Sequence, residues 1–172
     1  MSNVTTDRPM PPLDTDERTT LESWLDFYRA TLAVKCAGLT EKQVRTASVP
    51  PSPLTLLGLV QHMAEVERNW FRRVLVGEDT APIYDPHADP DGPNGGFDLT
   101  TNISFDIARR AWEAEIAQGR ANCAGRQLEQ TSPFLGGQVT LRWIYTHMIG
   151  EYARHGGHAD LIRERIDGVT GV

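Results

Sequence analysis

The stretch HMIGEYARHGGHADLIRER, residues 147–165, carries His147, Glu151, His155 and His158 at spacings of three and four. In a helix, residues three and four apart share a face, so this segment would stack three imidazoles and a carboxylate along one side. Imidazole and carboxylate are ligands for zinc and other first-row divalent ions, and imidazole also moves protons near neutral pH. A further histidine, His62, lies in TLLGLVQHMAEVERNWFRRVLVG between Leu59 and Val66, beside Met63. It is flanked by core positions and not by a polar face.

With Ile144 as reference, the same-face neighbours on the last segment are Met148, Glu151, His155, Ala159 and Ile162. Glu151 and His155 therefore interrupt an apolar stripe one turn apart, with His147 a turn before and His158 a turn after. A fold that turns His62 towards Glu151 and His155 would assemble three ligands and leave a position open, the arrangement of catalytic metal sites. Two readings stay open at this point. A histidine on an apolar stripe is also what a hydrogen-bonded core histidine looks like, and Glu151 could simply pair with His147 or His155. Burial favours the shared site, since a carboxylate on a core face costs several kcal/mol unless it is paired or bound to a metal. HExxH is absent, which argues against a zincin protease. His87, in DPHADPDG, reads as solvated loop, and Asp85, Asp89 and Asp91 lack calcium-loop spacing. Gly156-Gly157 would either admit a close neighbour beside His155 or mark a kink.

Four amphipathic segments must position these groups. The first follows DTDE, where Asp14 and Glu17 have capping-box spacing, and repeats Leu21, Trp24, Leu25, Tyr28, Leu32 and Cys36 up to Gly38. A short helix is expected after Thr40, whose capping partner is Gln43. The second long helix opens at Ser52-Pro53, carries Leu56, Leu59, Val60, Met63, Val66, Trp70 and Val74, and closes at Gly77. Residues 78–103, rich in Pro, Gly and Asp, form a long loop of the kind that serves as a lid. The third helix is expected over 104–128 with Phe105, Ala108, Trp112, Ile116 and Cys123 on one face, and the fourth over 140–166. EQTSPFLGGQV reads as a turn with a short extended piece. The expectation is an all-α four-helix bundle over 14–172, preceded by a loose arm, 1–13.

Composition narrows the function. A net charge of −6, from 17 basic and 23 acidic residues, argues against a nucleic-acid partner. No apolar run is long enough to span a bilayer and the N-terminal residues lack a signal-peptide core, so a cytoplasmic protein is expected, with no membrane partner. Cys36 and Cys123 show no metal or redox motif and are expected to be reduced, buried thiols. The large aromatics Trp24, Tyr28, Trp112 and Trp143 exceed what one small core needs and point to a homodimer.

The two long stretches TLLGLVQHMAEVERNWFRRVLVG and TLRWIYTHMIGEYARHGGHADLIRERIDG, with WLDFYRATLAVKCAGLTEKQV before them, resemble the DinB-like superfamily of four-helix bundles. The likeness covers most of 14–168 and is strongest to the actinobacterial branch related to mycothiol-dependent enzymes. The resemblance implies one divalent metal, zinc or nickel, held by a histidine on the second helix, matching His62, and by two residues four apart on the last, matching Glu151 and His155. The Glu-x3-His form looks like that of the mycothiol-dependent maleylpyruvate isomerases. It also implies a low-molecular-weight thiol such as mycothiol as cosubstrate, which the ion would bind as thiolate. His158 and His147 are then the candidates to orient a ligand or shuttle a proton. A metal-dependent hydrolase and a non-catalytic metal- or ligand-binding bundle are the alternatives.

Overall fold

The protein is described from a computed structural model, which describes residues 7–84 and 103–170. His87 and the aspartates 85, 89 and 91 lie outside the described residues.

Helix α1, Glu17–Cys36, is capped by Asp16, whose carboxylate accepts from the Thr19 amide at 3.0 Å and the Thr19 hydroxyl at 2.6 Å. The cap thus sits two residues beyond the expected Asp14, because Asp16 is the carboxylate within reach of the N3 amide. Gly38, with φ +74, turns the chain out of the helix. The short α2, Glu41–Val44, has the expected reciprocal Thr40–Gln43 capping box. Ser52-Pro53 does not start the next helix. Ser52 closes a turn on Val49, and Thr55 caps α3, Leu56–Arg68, by accepting from the Gly58 amide.

From Asn69 to Val74 the helix continues in π geometry. The wider turns advance the buried face, so Phe71 and Leu75 lie in the core while Val74, expected there, is only partly buried. Helix α4, Phe105–Cys123, begins at the Ser104 cap as expected but stops short of 128. Its last carbonyl, that of Cys123, is taken together with that of Arg126 by Arg18 from α1. Gly125 then turns the chain at φ +73.

The extended piece proves to be a hairpin, β1 Thr131–Phe134 and β2 Gly137–Thr140, antiparallel and joined through Leu135-Gly136. Each strand has four residues, and Pro133 and Gly137 break any alternating pattern. Thr140 caps α5, Leu141–Asp167, and Gly168 ends it in the left-handed region. The chain is mostly helical, and the hairpin is its only sheet among the described residues.

α1 packs on α5, α3 on α4, and α3 also on α5. Leu25, Leu32, Leu59, Met63, Trp112, Ile116, Ile144 and Met148 are all essentially inaccessible between them. Each such side chain contributes roughly 1.5–3 kcal/mol by leaving water. This shared core fixes the register of α3 against α5, the two helices that carry the candidate ligands. Both cysteines are buried thiols, and burial pushes Cys36 up to about 12.

Candidate metal centre

His62 projects from the middle of α3, and Glu151 and His155 from successive turns of α5. One donor atom of each lies within 4.8 Å of the other two. The His62 and His155 rings meet edge to face with centroids 4.7 Å apart. Nε2 of His155 is 3.7 Å from Glu151 Oε2. Ligands about 2.1 Å from a tetrahedral ion stand roughly 3.4 Å from one another. Side-chain shifts of about 1 Å would close the trio on an ion, so the donor set and its spacing fit a divalent metal.

The burial of the three is graded. His155 is buried, while His62 and Glu151 are partly exposed. Glu151 therefore lies on the flank of the core stripe and not in its centre, and the site sits where α3 and α5 face each other. Burial first, then the neighbouring His62 and His158 and the charge of Arg154, push His155 down to about 4. At neutral pH its ring is uncharged, the form in which imidazole ligates a metal.

His158 and His147 both stand next to the trio. The Nδ1 atoms of His155 and His158 are 3.3 Å apart, leaving Nε2 of His155 for the Glu151 side. His147 Nε2 is 3.8 Å from the other Glu151 oxygen. Its ring is stacked on Trp143 (centroids 4.9 Å, 8° between planes) and lies 4.5 Å from Trp70. Gly156 and Gly157 admit no close neighbour: a Cβ on either would meet nothing within 4 Å, and α5 continues through both.

Sequence reasoning missed a second polar cluster. Arg29 donates to both oxygens of Glu67 at 2.8 Å, Tyr152 donates to Glu67 at 2.7 Å, and Trp112 donates to the Tyr152 hydroxyl at 2.7 Å. All four are buried, and burial together with the Glu67 carboxylate pushes the Tyr152 hydroxyl well above its ordinary range. A signal was present: Arg29 is four residues after Leu25, Glu67 four after Met63 and Tyr152 four after Met148, each continuing a core stripe.

Among the described residues no helix is long and apolar enough to cross a membrane. The sequence model of one protein family, mycothiol-S-transferase, matches residues 20–168. No curated protein matches the chain.

Proposed function

Since the chain belongs to the mycothiol-S-transferase family, we propose that it is a divalent-metal-dependent thiol S-transferase, folded as a single DinB-like four-helix bundle. The observation that carries this reading is the convergence of His62, Glu151 and His155 on one point between α3 and α5. These three would hold the ion, zinc or nickel. When bound there, the ion would lower the pKa of a sulfur ligand, so that a thiol such as mycothiol is presented as the nucleophilic thiolate.

The chain's own residues do the rest. His158 holds the His155 ring through Nδ1 and so keeps Nε2 turned to the site, the part an outer-shell partner plays. His147, packed against two indoles and facing Glu151, stands where a proton released from the thiol could be received. Cys36 and Cys123 take no part, because burial holds both thiols protonated. The partners are a small thiol and an electrophile. The exposed Trp24 is consistent with a homodimer, and a cytoplasmic location would supply the reduced thiol.

Product analysis tests the reading. Protein loaded with zinc or nickel, given mycothiol and monobromobimane, is expected to yield the thioether faster than the uncatalysed reaction, and His155→Ala is expected to abolish the excess. Turnover of ester or amide substrates that is independent of added thiol would instead favour a hydrolase.

A further inference from the structure

An indole stands eight residues from a ligand on each side: Trp70, in the π-helical continuation of α3, from His62, and Trp143, on α5, from Glu151. At 1.5 Å per helical residue this is about 12 Å on either side. The two indoles meet at the same end of the site, with centroids 5.2 Å apart. His147 lies against both, and Phe134 from the hairpin lies 5.0 Å from Trp70. The rings form a continuous wall that begins at His147, 3.8 Å from Glu151, and ends in solvent at Trp143, which is 47% exposed. Core packing does not account for that last ring, since Trp70 at 8% and Trp112 at 1% show how this fold buries an indole it uses as filler. Leu135, which follows Phe134 at the hairpin tip, is 90% exposed and extends the apolar character of the rim.

Resting on the transferase reading, we propose that Trp143, His147 and Phe134, backed by the buried Trp70, form the subsite for the electrophilic substrate, and that this substrate carries a flat apolar group. Aromatic faces bind flat apolar groups through area and offset stacking. A hydroxyl-rich thiol would need hydrogen-bond partners along the wall. The polar atoms of these four rings are two indole N–H groups and one imidazole, and that imidazole faces Glu151.

The test is binding of 4-fluoroanisole, an unreactive flat probe, followed by fluorine NMR titration of metal-free protein. Trp143→Ala is expected to weaken binding at least fivefold, Trp143→Phe is expected to restore most of it, and both variants are expected to keep the metal capacity of the parent. With monobromobimane in turnover, Trp143→Ala should raise KM for the bimane at least fivefold, with a smaller change in KM for the thiol. Unchanged probe affinity in Trp143→Ala, or a KM effect confined to the thiol, would overturn the subsite. The titration uses neither thiol nor metal, so a protein without transferase activity could still bind the probe through Trp143. Failure of the subsite is thereby separated from failure of the transferase reading.

Discussion

Two carboxylates, Glu67 on α3 and Glu151 on α5, stand in the same part of the molecule and are treated in opposite ways. Glu67 is fully buried, gripped in fork geometry by Arg29 at 2.8 Å and by the Tyr152 hydroxyl at 2.7 Å. Its charge is matched and its oxygens are occupied. Glu151 has a side chain 20% exposed, and the positive partners the structure gives it are two histidines at 3.7 and 3.8 Å, beyond hydrogen-bond length. One carboxylate is a finished structural joint, and the other retains capacity for a ligand. The contrast shows that a charged residue on a core stripe is not by itself a site. What separates the two is whether nearby protein donors already saturate the group.

The comparison is broken most forcefully at Glu67. Glu67→Ala leaves the buried Arg29 guanidinium with only Asp26, at 2.9 Å, as counter-charge. The loss should be about 3–5 kcal/mol, as for other buried pairs stripped of one partner. In a chain of this size that lowers the melting temperature by about 6–20 °C. A shift equivalent to less than about 1 kcal/mol would mean that the network is not a stabilising joint.

Glu151→Gln should do the reverse. The metal-free protein should melt within about 1 kcal/mol of the parent, since Glu151 is itself partly exposed and its partners stand beyond hydrogen-bond length. Affinity for zinc should fall by at least about 10–100-fold, the range that outer-shell partners alone command. His158→Ala should weaken binding within that range and less than His155→Ala does. Isothermal titration of the variants checks the order. Metal lost in His158→Ala but kept in Glu151→Gln would make the ligand set all-histidine.

Much of this was legible in the sequence. The α5 stripe gave Glu151 and His155 their common face because α5 is a single regular helix from one cap to the other. His62 was legible because it precedes the π stretch. Beyond Asn69 the i, i+4 pattern loses phase, and Val74 was placed in the core where Leu75 lies. The Arg29–Glu67 pair was harder to see, because its partners are 38 residues apart and neither shows its other half locally. The hairpin was legible only as a turn with an extended piece, because four residues with a proline or a glycine carry no period. The capping of α1 was misplaced by two residues because three acids, Asp14, Asp16 and Glu17, compete for one helix start.

A further effect is expected from acid. His155 is held near 4 in the folded protein against an ordinary value of 6.5. As pH falls through 6.5 the unfolded chain takes up a proton that the folded chain refuses. The metal-free protein should therefore lose stability between about pH 6.5 and 4 and level off below that, as far as this group is concerned. The groups facing it are His62 from α3 and Glu151, Arg154 and His158 from α5. Chemical denaturation at stepped pH should show a shallower slope in His155→Ala, and an identical slope would assign the acid sensitivity to other groups.

The central claim is one ion shared by His62, Glu151 and His155, and its most direct measurement is elemental analysis of the protein purified without added metal and then loaded with zinc. The account predicts about one ion per chain, most of it lost in His62→Ala and in His155→Ala, with the double variant little worse than either because the two belong to one site. Full occupancy in the double variant, or no retained metal in the parent after loading, would contradict it.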